Sequence, residues 1–281
     1  MTRLLTPKAS VIGFPVKHSR SPKIHGYWLE QLGLNGSYES IEVQLAALGD
    51  FIRTMGERGF AGTNVTVPHK EAALGFCDEV SASARALGAV NTLWLRDGRI
   101  HGANSDVTGF LANLDASALG WDKAQTALVL GAGGAARAIV YALQSRGLKE
   151  ICIANRTRER SAALAQVFGS VARAVDWADI GAASARCGLV VNTTSLGMKG
   201  QPPLAFDVTP LPADAVVCDI VYAPLETNLL IAAAARGLRS VGGLGMLLHQ
   251  AVLGFSHWFG ATPQVTPELY ALIAADIERR L

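Results

Sequence analysis

The sequence predicts an α/β protein with two domains. Short apolar runs typical of buried strands alternate along the chain with segments of helical periodicity, which is the pattern of parallel sheets covered by helices. A length of 281 residues suits one large domain or two ordinary ones. Because a glycine-rich turn near residue 131 opens a new α/β unit in mid-chain, we predict two domains.

The first half of the chain has its own strand–helix–strand rhythm. Pro22 stands where a helix would begin, and the pair Asp97 and Gly98 is typical of a tight hairpin turn. The expected strands cover residues 9–13, 38–43, 62–67 and 89–96, and the last of these turns into a strand at 100–101. The expected helices cover 21–32 and 45–58, and a third begins at Lys70.

The second half continues the pattern with strands expected at 127–130, 151–154, 189–191, 215–220 and 240–241. A helix over 135–146 ends at Gly147, and a helix from Val107 leads into this half. Glycines at 242, 243 and 245 mark a boundary, after which helices over 246–259 and 267–280 return to the first half. We therefore predict one domain of residues 1–106 with 246–281, a second of 107–245, and a cleft between them.

Composition restricts the classes of partner. Half of the residues are hydrophobic and the formal net charge is +2, which gives no reason to expect nucleic-acid or membrane binding, so small molecules are the expected partners. The four cysteines are far apart and favour reduced thiols in the cytoplasm. The first residues lack a signal peptide, no run of about 18 apolar residues occurs, and the histidines form no zinc motif. We expect a cytoplasmic protein without a bound metal, either a monomer or a homodimer.

The glycine-rich turn is the strongest functional signal in the chain. It follows an apolar strand and opens a helix, so a pyrophosphate would meet the positive helix N-terminus, as in doubly wound Rossmann-like domains. The residues predicted to contact a dinucleotide here are Gly131, Ala132, Gly133, Gly134 and Ala135. The alternative is that the turn only connects a strand to a helix.

The end of the next apolar run predicts which dinucleotide is bound. NAD enzymes usually place an acidic residue there for the ribose 2′-hydroxyl, whereas this chain has Asn155, Arg156, Thr157, Arg158 and Arg160. Guanidinium groups and a hydroxyl suit a 2′-phosphate, so the sequence predicts NADP. The alternative is that these arginines form a solvated surface.

Polar clusters in the first half follow predicted strand ends, where open α/β sheets bind ligands. Ser19 and Ser21 could bind a substrate carboxylate, although serine at this position also caps helices. Asn64, Thr66 and Lys70 follow the third strand, and Lys70 is the candidate acid/base, although a lysine at a helix start is ordinarily a surface residue.

Further polar clusters lie at later strand ends. Asn91 and Asp106 are candidates for substrate binding, although Asp106 could merely cap the helix at Val107. Thr194, Ile220 and Tyr222 follow two strands of the second half and could border the nicotinamide, although Ile220 could equally be a core residue. Gly243 and Gln250 stand at the start of the last helices, and the Gln250 amide could reach a ligand.

Taken together, these segments resemble shikimate dehydrogenases almost from end to end. The matching segments, in family order, are residues 13–22 with His25, 64–70, 88–92, 104–109, 131–137, 155–157 with Arg160, 192–198, 221–224 and 243–250. The resemblance implies NADPH-dependent reduction of 3-dehydroshikimate to shikimate in aromatic amino-acid biosynthesis.

The resemblance also implies roles for individual residues. Lys70 is the implied catalytic acid/base, with Asp106 beside it. The implied substrate contacts are Ser19, Ser21, Thr66, Asn91, Asp106, Tyr222 and Gln250. The implied cofactor contacts are residues 131–135 and 155–160 with Ile220 and Gly243.

Three positions depart from the family pattern, and two other functions remain open. Gly26 replaces a common asparagine, Ser105 replaces a threonine, and Ala82 replaces an acidic residue present in some members, so we assign no role to Ala82. One alternative is a quinate/shikimate dehydrogenase of the same fold that works catabolically and often with NAD. The other is a non-catalytic NADP-binding regulator, for which the fold alone would suffice.

Overall fold

A computed structural model describes residues 6–280 of the chain. The chain forms two compact units. Within the described residues, the first unit comprises the chain up to Ser105 together with Leu248–Ile273. The second comprises Asp106–Leu247 and the residues from Ala274 onward. Among residues 6–280, no helix is long and apolar enough to cross a membrane.

The first unit is built on a six-stranded mixed sheet in the order β2-β1-β3-β5-β6-β4. Its strands are β1 (Lys8–Gly13), β2 (Ser37–Glu42), β3 (Phe60–Val65), β4 (Glu79–Val80), β5 (Thr92–Arg96) and β6 (Arg99–Ala103). Its helices before residue 105 are α1 (Ser21–Gln31), α2 (Leu48–Thr54), α3 (Lys70–Leu74) and α4 (Ala82–Leu87). Buried apolar side chains such as Ile12, Ile52 and Leu93 form its core.

The sheet of the first unit brings the ends of several strands to one edge. β1 is parallel to both β2 and β3, so these strands end on the same side. β5 runs antiparallel to β3 and forms a hairpin with β6 through Asp97 and Gly98, both at positive φ. The segments after β1, β3 and β6 and before β5 therefore meet at this edge.

Most elements predicted in the first half are confirmed, and some are shorter than predicted. The helix expected over 45–58 is a 3₁₀ turn at Leu45–Ala47 followed by α2, which ends before Gly56. The helix expected from Lys70 ends at Leu74, because Gly75 and the turn after it break the periodicity. β4 and α4 were not predicted from the sequence.

The second unit contains a parallel sheet of β7 (Thr126–Leu130), β8 (Glu150–Ala154), β9 (Ala172–Val175), β10 (Leu189–Asn192), β11 (Val216–Asp219) and β12 (Arg239–Val241). The helices within it are α6 (Gly134–Ser145), α7 (Arg158–Phe168), α8 (Ile180–Ser184) and α9 (Asn228–Ala235). Three longer helices are α5 (Ser105–Ser117), α10 (Leu244–Phe259) and α11 (Pro267–Glu278), and each of them continues from one unit into the other.

The order of the second sheet is β12-β11-β10-β7-β8-β9, with every pair parallel. Numbered from β7 onward, this is the 3-2-1-4-5-6 order of the doubly wound fold, whose topological switch point lies between its first and fourth strands. In this unit the switch point lies between β7 and β10, and ligands of such sheets bind outside the carboxyl ends of these strands. The predicted two-domain α/β fold with a Rossmann-like second domain is confirmed.

Two predicted boundaries in this part are corrected. α10 begins at Leu244, so Gly245 lies in the first turn of a helix and does not separate two elements. α5 begins at Ser105, so Asp106 lies in its first turn and does not precede a helix that starts at Val107. β9 and α7 were not predicted.

Candidate active site

The glycine-rich turn begins at the carboxyl end of β7, on the switch point of the second sheet. Gly131 has a φ of +114°, and a Cβ there would lie 2.4 Å from the Oγ1 of Thr193. Thr193 follows β10 and donates a hydrogen bond from Oγ1 to the Leu130 carbonyl at 2.7 Å. Only glycine fits at position 131, because both the backbone conformation and the contact with Thr193 exclude a side chain.

The rest of the turn exposes the N-terminus of α6. Gly133 is the N-cap residue and has no side chain to satisfy the first amide groups of this 12-residue helix. A Cβ on Gly133 or Gly134 would meet nothing within 4 Å, so the approach to these amides is open. Free N–H groups and the helix dipole together make this end of α6 suited to a pyrophosphate.

The loop after β8 contains three arginines that differ in their partners. The Arg158 guanidinium forms an ion pair with Asp176. Arg156 and Arg160 are exposed, and neither forms an ion pair with any residue in the described part of the chain. The Asn155 side chain donates to the Thr157 carbonyl at 2.9 Å and holds the loop in shape. Arg156 and Arg160 can therefore bind a phosphate, whereas Arg158 is already engaged.

A buried carboxylate that the sequence analysis did not single out organises two further loops. The Asp219 side chain at the end of β11 is fully buried, and it accepts hydrogen bonds from Asn192 Nδ2 at 2.9 Å and Thr227 Oγ1 at 2.7 Å. Burial raises the pKa of Asp219, and these hydrogen bonds oppose the rise. Asn192 Oδ1 in turn accepts from the backbone and hydroxyl of Thr194. Asp219 thus fixes the loop that carries Thr194.

The same carboxylate also fixes the segment that carries Ile220 and Tyr222. Asp219 Oδ1 accepts from the Val221 amide at 3.0 Å. A Cβ on Gly243 would lie 2.1 Å from the Ile220 carbonyl oxygen, so glycine is required for the chain to pass this strand end. The only sequence signal for Asp219 was its position near the end of the strand predicted over 215–220.

The polar residues predicted in the first unit meet at the sheet edge described above. Asn64 lies opposite Thr92 on the neighbouring strand and donates from Nδ2 to Thr92 Oγ1 at 3.2 Å. Asn91 Oδ1 accepts from the Ser105 amide at 2.7 Å and from Thr92 Oγ1 at 3.0 Å. The Ser105 hydroxyl donates to Gln250 Oε1 at 3.2 Å. Asn64, Asn91 and Gln250 thus belong to one hydrogen-bonded cluster.

The other predicted residues of the first unit follow the ends of β1 and β3. The Ser21 amide donates to Ser19 Oγ at 3.2 Å, but the N-cap residue of α1 is Arg20 and no side chain caps this helix. Thr66 is held by a backbone hydrogen bond to Ile12 at 2.9 Å. Lys70 is half-buried at the first position of α3, and its carbonyl accepts from the Val90 amide at 2.9 Å.

Two predicted substrate residues belong to the second unit. Asp106 is half-buried in the first turn of α5, and Tyr222 is half-buried three residues after the end of β11. The four cysteines are free, and three of them are buried. Among residues 6–280, no group of three histidine, cysteine or carboxylate side chains could hold a metal ion.

A doubly wound parallel sheet with an open glycine-rich turn and two available arginines defines a dinucleotide-binding protein, and the first unit adds a separate polar site. Three family descriptions match the chain. These are "Shikimate dehydrogenase substrate binding domain" over residues 11–93, "Shikimate / quinate 5-dehydrogenase" over 114–198 and "Shikimate 5'-dehydrogenase C-terminal domain" over 243–267. The chain belongs to the shikimate dehydrogenase family, as the sequence resemblance implied.

Individual relatives agree with this family. A protein of Methylocella silvestris named shikimate dehydrogenase (NADP(+)) is 58% identical over 276 residues, which cover 98% of each chain. The shikimate 5-dehydrogenase of Thermus thermophilus, solved in complex with NADP(H) and shikimate, is 40% identical with a TM-score of 0.85 and covers 96% of this chain and 99% of its own. A quinate dehydrogenase from Corynebacterium glutamicum, solved in complex with NAD, is 33% identical with a TM-score of 0.89. The match covers 96% of this chain and 99% of the quinate dehydrogenase.

Proposed function

We propose that this protein is an NADP-dependent shikimate dehydrogenase, which reduces the ring ketone of 3-dehydroshikimate to shikimate in the pathway of aromatic amino-acid biosynthesis. The observation that carries this proposal is the 58% identity, over 98% of both chains, with a relative of that name. In keeping with this function, the chain retains the lysine and aspartate that the family pattern requires, Lys70 and Asp106.

We assign NADP binding to residues 107–245 and substrate binding to residues 1–106 with 246–281. The open N-terminus of α6 fits a pyrophosphate. Arg156 and Arg160, which form no ion pair with any of residues 6–280, fit a 2′-phosphate. The complete proposed cofactor set is Gly131, Ala132, Gly133, Gly134, Ala135, Asn155, Arg156, Thr157, Arg160, Thr194, Ile220 and Gly243. When bound, this cofactor supplies or accepts the hydride.

The substrate is a ring carboxylic acid with several hydroxyl groups, and the proposed set offers a matching mixture of donors and acceptors. Hydroxyls, amides and charged groups at one sheet edge can bind both the carboxylate and the ring hydroxyls. The proposed substrate set is Ser19, Ser21, Asn64, Thr66, Lys70, Asn91, Asp106, Tyr222 and Gln250.

Lys70 is the proposed acid/base of the reaction. Negative charge develops on the ketone oxygen during reduction, so the transition state requires a proton donor or a cation within hydrogen-bonding reach. The Lys70 ammonium offers both: Nζ gives a proton to the oxygen on reduction and takes it back on oxidation. We assign Asp106 the role of orienting this ammonium and of accepting a hydrogen bond from a substrate hydroxyl.

We also propose that the protein works in the cytoplasm as a monomer or a homodimer. Free cysteines are in keeping with a reducing compartment. Sedimentation velocity of the purified protein distinguishes the two assembly states, and cell fractionation with an antibody tests the compartment.

The decisive experiment combines two substrates with two cofactors. Purified protein is mixed with shikimate or quinate, each with NADP or NAD, and the absorbance of the reduced cofactor is followed. We expect rapid turnover only with shikimate and NADP. Comparable rates with quinate or NAD would assign the protein to the catabolic branch of the family, and no turnover in any of the four mixtures would favour a non-catalytic NADP-binding regulator.

A further inference from the structure

Tyr38 on β2 makes a short hydrogen bond to one of the proposed substrate residues. Its hydroxyl donates to Asn64 Oδ1 at 2.6 Å, across 26 residues of sequence. Burial raises the pKa of Tyr38 well above its ordinary value, against an opposing effect of the Ser21 side chain. The phenol therefore keeps its proton throughout the working range of pH and remains a hydrogen-bond donor.

The position of the Tyr38 ring is set by a buried histidine. The imidazole of His25 stacks on it with the ring centroids 4.0 Å apart and the planes inclined by 8°. His25 is fully buried, and Trp28, Phe255 and Trp258 surround its ring. The Tyr38 hydroxyl is thus held at one place relative to β3, because its ring can hardly shift within this cluster.

The remaining contacts of Asn64 determine which way its amide points. Asn64 Nδ2 lies 3.1 Å from the Asn91 carbonyl oxygen and 3.2 Å from Thr92 Oγ1. A backbone carbonyl can only accept a hydrogen bond, so the amide nitrogen must face Asn91. The amide oxygen then faces Tyr38, whose hydroxyl is the donor that this orientation requires.

The hydrogen bonds of the Asn64 side chain within the protein limit those that it can form with a ligand. Both amide hydrogens are taken by Asn91 and Thr92, and one lone pair of Oδ1 is taken by Tyr38. The oxygen has one more lone pair. The Asn64 side chain opposes the effect of burial on the pKa of the adjacent His25, but neither imidazole nitrogen forms a hydrogen bond with any of residues 6–280, so the imidazole does not use this lone pair. Asn64 can therefore act toward a ligand only as an acceptor.

We propose that Tyr38 is a positioning residue that fixes the Asn64 amide as a hydrogen-bond acceptor, so that this part of the site recognises a hydroxyl group of the substrate. The inference deepens the proposed function and rests on it.

The test is the substitution Tyr38→Phe, which keeps the ring stack on His25 and removes only the hydroxyl. We expect the KM for shikimate to rise roughly tenfold, because the variant weakens one hydrogen bond between Asn64 and the substrate. The KM for NADP should stay within twofold of the wild-type value. The matched control is Tyr27→Phe in the same unit, whose hydroxyl contacts Thr266 at 3.4 Å, and it should leave both constants unchanged.

A double-mutant cycle with Asn64→Ala separates positioning from a general loss of stability. If Tyr38 acts through Asn64, Tyr38→Phe adds less than a twofold effect when Asn64 is already alanine. An equal fold-change in both backgrounds, or an unchanged KM for Tyr38→Phe alone, would overturn the inference.

A second readout does not depend on turnover, and it covers the case in which the wild-type protein fails to oxidise shikimate. In asparagine-labelled protein, the side-chain amide signals of Asn64 report how tightly its NH₂ group is held. We expect faster hydrogen exchange of these signals in Tyr38→Phe than in wild type or Tyr27→Phe. Unchanged exchange contradicts the role of Tyr38 even if the proposed function is correct, and inactive wild type with the expected exchange refutes only the function.

Discussion

Lys70 is the residue on which the proposed chemistry depends most. It occupies the first position of α3, five residues after the end of β3, the strand that carries Asn64, and its backbone carbonyl accepts a hydrogen bond from the Val90 amide. This attachment keeps the backbone in place when the side chain is changed, so a substitution of Lys70 tests the ammonium group itself.

We predict that Lys70→Ala lowers kcat by roughly 100-fold or more with a smaller change in KM, because proton transfer is lost while most substrate contacts remain. Steady-state kinetics with shikimate and NADP measures both constants. Lys149→Ala, which removes an exposed lysine in the loop before β8, is the control and should behave as wild type. Near-normal turnover of Lys70→Ala would refute the assignment.

His25 gives the protein a pH-dependent stability. Burial lowers the pKa of its imidazole to about 3, whereas the ordinary value in an unfolded chain is 6.5. Between pH 6.5 and 3 the imidazole is protonated in the unfolded chain but neutral in the folded chain. The free energy of unfolding is therefore unaffected by this site above pH 6.5 and decreases as the pH falls from 6.5 toward 3.

We therefore predict that His25→Phe flattens the pH dependence of the free energy of unfolding. Each pH unit in this window should cost the wild type about 1.4 kcal/mol at this site, so between pH 7.5 and 4.5 wild type should lose about 2–3 kcal/mol more than the variant. Urea denaturation at the two pH values measures this difference. Parallel losses in both proteins would contradict the assigned pKa.

Single residues also show what the sequence could and could not predict about the site. Asn64, Thr66 and Lys70 were recognisable because polar residues at the end of an apolar strand have few structural reasons to be there. The partner of Asn64 was not recognisable, because Tyr38 reaches it only through the pairing of β2 and β3 with β1 and the stack on His25. Such contacts depend on tertiary packing that no local pattern encodes.

At the scale of elements, the loop between β8 and α7 divides its arginines between structure and ligand binding. The sequence placed Arg156, Arg158 and Arg160 in one basic cluster, while the structure pairs Arg158 with Asp176, which follows β9. Because β9 was not predicted, this ion pair was not foreseeable either. A basic cluster in a loop is thus not equivalent to a set of free cations.

We predict that Arg156→Ala raises the KM for NADP by roughly tenfold or more and leaves the KM for NAD nearly unchanged. The loss follows from the charge-assisted hydrogen bonds that a guanidinium makes with a 2′-phosphate. Arg158→Ala is the matched control and should change the KM for NADP by less than twofold, since an exposed ion pair contributes little. Equal effects of the two substitutions would show that the loop acts only through its net charge.

Element boundaries were predictable where an apolar run is long and failed where it is short. β7 and β8 are buried on both faces and appear as continuous apolar runs, so their positions were clear. β4 has two residues, and β9 is an edge strand with an exposed arginine in its middle, so neither produces a recognisable pattern. Hydrogen bonding to a neighbouring strand, and not composition, makes them strands.

At the scale of the whole molecule, each unit has its own buried core. One is formed by residues such as Ile12, Ile52 and Leu93, and the other by residues such as Leu128 and Val190. Two domains were predictable from the glycine-rich turn, whereas the strand order within each sheet was not, because a connection does not specify on which side the next strand pairs.

We predict that NADP raises the melting temperature of the second unit by roughly 5–10 °C at a concentration of 100 times its Kd, because a ligand that binds only the folded state stabilises it by about 2.7 kcal/mol. Scanning calorimetry of the intact protein, with NAD at the same concentration as the control, measures this shift. An equal shift with NAD would argue against selection of the 2′-phosphate.

Because α10 belongs to both units, it restricts where this chain can be truncated or joined to a relative in protein engineering. The helix starts in the second unit at Leu244, enters the first unit at Leu248 and ends there, where the Trp258 indole donates to the Leu93 carbonyl at 2.8 Å. A gene truncated after Ser105 therefore encodes a sheet without Trp258 or Gln250. A chimaera that exchanges the second unit needs three junctions, at the start of α5, inside α10 and inside α11, and the last two must preserve unbroken helices.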